Sequence, residues 1–138
     1  MKKKYNKLKD KSYFKNYYHD HLENFKKYRI KKEMYKKHNI SKQEWSDCKS
    51  YFNNQCAYCG MNEEKHKALF NGQLHKEHVL NNGSNELDNC VPACKTCNCS
   101  KYDYDIDEWY SSENPIFNED RYKKILKWLS KDYKIYKY

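Results

Sequence analysis

Two Cys-x2-Cys pairs constrain this chain more than any other feature of its sequence. Cys56 and Cys59 form the first pair, Cys94 and Cys97 form the second, and residues 60–93 separate them. The two-residue spacing lets both sulfurs of a pair face one ion, and two pairs supply four thiolates in a closed tetrahedral site. We therefore predict a structural Zn²⁺ that stabilises the fold and takes no part in chemistry.

The remaining cysteines agree with metal binding better than with disulfides. The chain has seven cysteines, whereas secreted disulfide frameworks usually have even counts. A redox Cys-x2-Cys is the alternative, but the presence of two pairs argues against it. Cys48 is expected in the core as a small apolar residue, and Cys90 and Cys99 lie at other spacings and receive no ligand role. This usage predicts a reducing compartment and a cytoplasmic protein.

Positive charge is concentrated in the first third of the chain. The 138 residues carry a net charge of +9, and residues 1–50 hold 16 Lys/Arg and 6 Asp/Glu, whereas residues 51–138 hold 12 and 13. Such an excess predicts a polyanionic partner, either nucleic acid or an anionic membrane surface. No run approaches the roughly 18 apolar residues of a membrane span. No apolar stretch follows the basic N-terminus, so a secretion signal is not predicted.

Capping signals and apolar spacing predict helices on both sides of the cysteine-rich middle. Aromatic and leucine side chains at three- and four-residue steps predict a helix within 13–38, packed inward or also laid along a phosphate backbone. Ser41 with Glu44 matches a capping box, which predicts a helix ending near 53–54. Asn118 can cap a last helix. Its predicted apolar face consists of Tyr122, Ile125, Leu126 and Leu129.

The sequence predicts short secondary-structure elements joined by turns in the middle of the chain. Residues 62–70 are predicted to form a short helix or loop, and residues 73–80 a short strand. Residues 81–85 are dense in turn-forming side chains and would fold the chain back. Pro92 blocks regular central-strand pairing at its own position. One helix is predicted from 95 to 110.

A specific order of polar residues surrounds the second cysteine pair. This order resembles the HNH endonuclease family, whose ββα-metal motif has an acid–His pair, an Asn before a Cys-x2-Cys, an Asn or His directly after it and often a Lys three residues later. The resemblance covers roughly residues 44–130. The matching residues are Glu77, His78, Asn89, Asn98 and Lys101.

The resemblance implies an α+β fold. A ββα-metal (HNH) core would be stapled by the four-cysteine zinc site and flanked by N-terminal basic helices and a C-terminal helix. The implied organisation is a basic helical extension over 1–43, a zinc-bound nuclease domain over 44–130 and a tail over 131–138.

The resemblance also implies roles for individual residues, and the chemistry suits them. An imidazole is a suitable general base for water, which makes His78 the candidate. Mg²⁺ or Mn²⁺ takes oxygen ligands, which Glu77 and Asn98 could supply. Adjacent strand residues point to opposite faces, so Glu77 and His78 could share a site only at a twist or strand end. Asn89 is expected to hold the loop that carries the base.

Two further residues are candidates for substrate contact. Lys101 lies one helical turn beyond Asn98 and could meet a phosphate. His75 lies three residues before His78 and is a secondary candidate.

Three functions compete at this point. The leading prediction is a metal-dependent DNA endonuclease that hydrolyses phosphodiester bonds through a His general base and one divalent cation. The alternatives are a non-catalytic zinc-stabilised nucleic-acid-binding module and a zinc-stabilised protein-interaction domain. RNA remains an alternative substrate, and the cut site, oligomeric state and biological role stay open. A phage or mobile-element origin with a packaging, homing, restriction or defence role would suit the motif.

Overall fold

A computed structural model describes residues 22–24, 26 and 38–137 of the protein. Most of the helix predicted within 13–38 lies outside these residues, although residues 22–24 and 26 are helical. From residue 38 onward, short helices surround one small antiparallel sheet. The elements are α1 (Lys42–Tyr51), α2 (Glu63–Phe70), β1 (His75–His78), β2 (Cys90–Ala93), α3 (Lys95–Lys101), α4 (Ile106–Trp109) and α5 (Glu119–Ser130), with 3-10 helices at Leu87–Asn89 and Asp132–Tyr136.

Helix α1 begins and ends where the sequence indicates. The Ser41 hydroxyl accepts a hydrogen bond from the Glu44 amide at 3.1 Å, and the Glu44 carboxylate accepts one from the Ser41 amide at 2.9 Å. This reciprocal pair is the predicted capping box. Beyond the helix, Asn53 and Asn54 adopt φ values of 59° and 55°. Asn tolerates this left-handed conformation, which cannot continue a helix.

The sheet and the helix that follows it form a ββα unit. Strands β1 and β2 pair antiparallel, with His75 opposite Ala93 and His78 opposite Cys90. Pro92 is accommodated because the sheet has two strands, and its carbonyl accepts a hydrogen bond from the Ala57 amide at 2.8 Å. Helix α3 starts directly after β2. The predicted α+β class with a ββα core is confirmed.

The single helix predicted over 95–110 is wrong, because the chain breaks at Tyr102. This residue adopts φ 53° and ψ −123° and ends α3. A new helix, α4, begins after Asp105, whose backbone amide donates to the Glu108 carboxylate at 3.3 Å in a second capping box. The Asp-x-x-Glu pattern that starts α4 was readable in the sequence as a helix start.

The predicted cap of α5 is confirmed, but its predicted apolar face is rotated. The Asn118 side chain accepts a hydrogen bond from the Arg121 amide at 2.9 Å. Ile125 and Trp128 are the fully buried residues of the helix, whereas Leu126 is 39% exposed. The physical reason is the indole of Trp128, which is the larger apolar group and whose N–H donates to the Cys90 carbonyl at 2.9 Å.

The core lies between β2, α1 and α5. Tyr136 stacks on Trp128 with ring centroids 5.7 Å apart, and the Tyr51 hydroxyl donates to the Asp132 carboxylate at 2.6 Å. The segment after α5 therefore packs on the same core as α1. Within the part of the chain that the structure describes, no helix is long and apolar enough to cross a membrane.

Candidate metal centre and active site

The four cysteines of the two pairs converge. Their sulfurs all lie within 4.8 Å of one another, and the Cys59 and Cys94 sulfurs are 3.7 Å apart. Four thiolates around an ion at metal–sulfur distances of about 2.3 Å would be separated by about 3.8 Å. The cluster therefore has the size and the donor set of a site that could hold a metal ion such as zinc.

Backbone geometry brings the two pairs together. Cys56 and Cys59 lie on the turn between α1 and α2, where Gly60 has φ 82° and the Arg121 guanidinium occupies the space of a Cβ. Cys94 caps α3, and its sulfur accepts a hydrogen bond from the Cys97 amide at 3.4 Å. The cluster joins the turn after α1 to the start of α3.

The thiols of the cluster strongly influence one another. Hydrogen bonds from the Cys56, Cys94 and Cys97 thiols lower the pKa of Cys59. Hydrogen bonds to Cys56 and Cys59 raise the pKa of Cys97. Four thiolates buried side by side would repel one another, and a divalent cation would compensate their charge. The donor set of the four cysteines therefore fits a metal such as zinc.

The other three cysteines lie outside this cluster. Cys48 is buried in α1, and its thiol lies 3.6 Å from the Cys90 carbonyl. Cys90 belongs to β2 and is buried, and Cys99 is half-buried on α3. That none of these three is a ligand stays a prediction.

Glu77 points into the interior rather than into an open site. It is 1% exposed. Its carboxylate accepts a hydrogen bond from the Tyr58 hydroxyl at 2.5 Å and pairs with the Lys101 ammonium at 3.1 Å. Burial, followed by the negative charge of Glu77, raises the pKa of Tyr58, so the phenol stays protonated and donates. Both oxygens of Glu77 thus have protein partners, and its role as a ligand of a catalytic cation stays a prediction.

Lys101 is buried as well. Its side chain is 1% exposed and its ammonium donates to the His78 backbone carbonyl at 3.0 Å, in addition to pairing with Glu77. Helix α3 thus places Lys101 beneath β1 rather than on the surface, and its predicted contact with a phosphate stays a prediction.

His78 ends β1 and is held by a side chain from the following loop. Its Nε2 lies 2.8 Å from the Asn85 side-chain oxygen. With the Asn85 amide oxygen facing the ring, Nε2 is the donor in this bond and Nδ1 is the other ring nitrogen. The His38 ring stacks on the same imidazole, with centroids 4.1 Å apart and an interplanar angle of 28°. His78 is 2% exposed.

Asn89 fixes the loop that follows His78. Its side-chain oxygen accepts from the Leu80 amide at 2.9 Å, and its side-chain nitrogen donates to the carbonyls of Leu80 and Ser84 at 3.0 and 2.9 Å. The Asn89 carbonyl also accepts from the Val79 amide at 3.1 Å. These bonds hold the loop beside His78.

The last two candidates lie on neighbouring elements. Asn98 is half-buried on α3, and its backbone amide donates to the Cys94 carbonyl at 2.9 Å. His75 is exposed at the start of β1, with its ring 5.7 Å from that of His66. The Asn98 position therefore depends directly on the cysteine cluster.

Sequence reasoning missed two residues beside His78. The sequence identified Asn85 only as part of a turn and His38 only as the end of the helix predicted within 13–38. Neither has a local signal, because their contacts with His78 depend on how the loop and the segment before α1 fold back.

A ββα unit with a histidine ending its first strand and a four-cysteine cluster beside its helix is the arrangement that the HNH resemblance implies. The chain is 46% identical over 136 residues to a Bacillus subtilis (strain 168) protein named SPbeta prophage-derived putative HNH endonuclease YoqL. The alignment covers 94% of this chain and 59% of that relative. This similarity confirms the predicted recognition of the HNH endonuclease family. No family model matches the chain, and no solved structure matches it.

Proposed function

We propose that this protein is a metal-dependent endonuclease that hydrolyses phosphodiester bonds, with His78 as the general base. The observation that carries the proposal is the hydrogen bond of 2.8 Å between His78 Nε2 and the Asn85 side-chain oxygen, in a ββα unit beside the cysteine cluster. This bond fixes the tautomer, leaving Nδ1 to accept a proton. The Bacillus subtilis relative is named as an HNH endonuclease, and this name supports the same class of enzyme.

The proposed chemistry requires that a water reach Nδ1 of His78, which is buried in the folded chain. Nδ1 of the neutral imidazole takes a proton from the water, and the resulting hydroxide attacks phosphorus in line with the leaving oxygen. The P–O bond to the leaving oxygen then breaks, the departing alkoxide takes a proton from solvent water, and the imidazolium returns its proton to solvent. Asn85 holds the imidazolium through Nε2, and Asn89 holds the loop that carries both groups.

The divalent cation would be Mg²⁺ or Mn²⁺, which stabilises the charge that develops on the phosphate and the leaving oxygen. Both ions prefer oxygen ligands. The Asn98 amide oxygen is the proposed protein ligand, and phosphate oxygens and water would complete the shell. Glu77 would join only if its bonds to Tyr58 and Lys101 opened.

Glu77 and Lys101 instead have a proposed positioning role. Lys101 bonds to the His78 carbonyl at 3.0 Å and to Glu77 at 3.1 Å. The pair therefore connects two consecutive residues of β1 to α3. Because Asn98 lies one helical turn before Lys101, this connection would set the distance from the base to the proposed cation ligand.

The cysteine cluster would hold a structural Zn²⁺. Four thiolates leave no open coordination position, so the zinc would carry no substrate. It would fix the start of α3 and with it Asn98. We place the protein in the cytoplasm, where the thiols stay reduced.

DNA is the proposed substrate, with RNA as the alternative. Residues 1–43 form the proposed basic extension that contacts the phosphate backbone, 44–130 the nuclease domain and 131–138 a tail. The lysines of the basic extension would make DNA binding strongly salt-dependent. A purely binding module would show the same salt dependence without cleavage, and a protein-interaction domain would show neither.

The test is incubation of the full chain with supercoiled plasmid in Mg²⁺, Mn²⁺ or EDTA, beside His78→Ala and the exposed-site control Glu119→Gln. Zinc content and melting temperature are compared for all three proteins. We expect metal-dependent nicking that is lost in His78→Ala and retained in Glu119→Gln, with all three folded. Salt-sensitive DNA binding without cleavage in any metal would favour the binding module instead.

A further inference from the structure

We infer that His38 is a positioning residue for His78, which holds the plane of the catalytic imidazole by stacking on its face. This inference rests on the proposed function and adds to it a residue that lies 40 positions before the base. His38 falls just before α1, outside the ββα unit and the cysteine cluster.

The segment that carries His38 is anchored at each of its next residues. The Asn39 amide donates to the Asn85 carbonyl at 2.7 Å. Ile40 packs against the core, and Ser41 caps α1. The backbone next to His38 is therefore fixed relative to the loop beside His78.

Asn85 connects this segment to the base. Its carbonyl binds Asn39, and its side-chain oxygen binds His78 Nε2 at 2.8 Å. Asn85 thus bonds to His78 and to the residue that follows His38, so a shift of the segment before α1 would be transmitted to the imidazole.

The two restraints on His78 are complementary. The outer torsion of a histidine side chain is broad, so the ring needs external restraint to hold one orientation. A hydrogen bond at Nε2 fixes one edge of the ring but leaves it free to rock about that bond. The His38 ring, stacked at 4.1 Å and 28°, restrains the face. Together they direct Nδ1 to one place.

The structure favours stacking as the function of His38. The rings meet face to face, and the protein bond at His78 Nε2 already comes from Asn85. Stacking depends on the flat shape of the ring, so another flat ring in place of His38 should preserve the contact. This separates a positioning role from a direct role in chemistry, which would need an imidazole nitrogen.

The test compares His38→Ala, His38→Phe and the control Glu119→Gln, at an exposed position of α5, with the wild-type chain. Steady-state cleavage gives kcat and KM, and melting temperature and zinc content report folding. We expect His38→Ala to lower kcat by about 10- to 100-fold with KM nearly unchanged, because misplacing a catalytic group has effects of that size. His38→Phe should stay within about threefold of wild type, since it keeps the ring.

A second readout does not depend on cleavage. Proton–nitrogen correlation spectra of the His78 ring report its tautomer and mobility. We expect His38→Ala to change this signature and His38→Phe to preserve it. If the wild-type chain does not cleave, the proposed function fails, and these spectra still decide whether His38 positions His78.

Two outcomes would overturn the inference. Unchanged cleavage and unchanged His78 spectra in a folded His38→Ala would show that the stack positions nothing. Equal loss of kcat in His38→Phe and His38→Ala, with normal His78 spectra, would assign the effect to an imidazole nitrogen of His38 acting on the substrate.

Discussion

Glu77 and Lys101 are two opposite charges removed almost completely from water. Each is 1% exposed, and their charged atoms lie 3.1 Å apart. Desolvating two such groups has a large cost, which their mutual attraction offsets only when other hydrogen bonds complete the site. The Tyr58 hydroxyl and the His78 carbonyl provide those bonds.

Removing one charge of this pair should therefore be strongly destabilising. We expect Glu77→Gln to lower the free energy of unfolding by about 3 to 5 kcal/mol, because it leaves the Lys101 ammonium buried without its counter-charge. The double variant Glu77→Gln with Lys101→Met should recover most of the loss. Urea denaturation of the single and double variants measures both effects.

The matched control is an exposed ion pair. Glu119 and Lys123 lie 3.7 Å apart on the surface of α5, about 70% exposed, and Glu119→Gln should change stability by less than about 1 kcal/mol. A Glu77→Gln variant that keeps wild-type stability but loses metal-dependent cleavage would contradict the positioning role. That result would instead support the prediction that Glu77 is a ligand of the cation.

The site residues differ in how far sequence alone could place them. His78 and Asn89 were identifiable as candidate site residues from the order of the motif, because the order of residues along the chain does not depend on how their side chains pack. The interior positions of Glu77 and Lys101 were not identifiable, since spacing does not say which face of a short strand turns inward. His38 depends on a contact across 40 residues, for which no local pattern exists.

At the scale of elements, the loop after β1 depends on a close approach between a glycine and an asparagine. A Cβ on Gly83 would lie 2.6 Å from the Asn89 side-chain nitrogen. That nitrogen donates to the Leu80 and Ser84 carbonyls. A side chain at Gly83 would push the amide out of these bonds and release the loop beside His78.

Gly83→Ala should therefore destabilise the protein and slow cleavage. We expect the free energy of unfolding to fall by about 1 to 3 kcal/mol, the cost of leaving buried hydrogen-bonding groups unpaired. Gly72→Ala is the control, because the nearest atom to its Cβ would be the Phe70 carbonyl oxygen at 4.0 Å. It should be neutral or stabilising by up to about 1 kcal/mol. Thermal melts and plasmid nicking measure both variants, and equal effects would refute the role of Gly83.

Helix starts were predictable and helix faces less so. The caps at Ser41 and Asn118 follow from one side chain and one backbone amide, which are local. The end of α3 required Tyr102 to adopt φ 53°, a conformation that no pattern of apolar residues indicates. The inward face of α5 is set by Trp128 and its bond to the Cys90 carbonyl, which only the folded chain brings together.

At the scale of the whole molecule, the cysteine cluster connects the parts of the candidate site. It ties the turn after α1 to the start of α3, and residues 60–93 form a loop closed by it. His66 adds a second link: its Nε2 accepts from the Lys95 amide at 3.0 Å, and its Nδ1 donates to the Gly72 carbonyl at 2.7 Å. With 38% hydrophobic residues, the core alone is modest, so a metal in the cluster would contribute much of the folding energy.

Loss of the metal should therefore unfold the protein rather than merely inactivate it. We expect the wild-type chain to hold one zinc ion and to lose its cooperative thermal transition when a strong chelator removes that ion, since structural zinc contributes on the order of 10 kcal/mol in small domains. Cys59→Ser should bind zinc weakly and melt without cooperativity. Elemental analysis and calorimetry measure the two effects.

Cys99→Ser is the matched control, because Cys99 lies on the same helix as Cys97 but outside the cluster. It should keep one zinc ion and a melting temperature close to that of the wild type. A chelated protein that still melts cooperatively at the wild-type temperature would refute the structural role of the metal. Equal zinc loss in Cys59→Ser and Cys99→Ser would instead refute the assignment of the ligands, because the cluster geometry gives Cys99 no place around the ion.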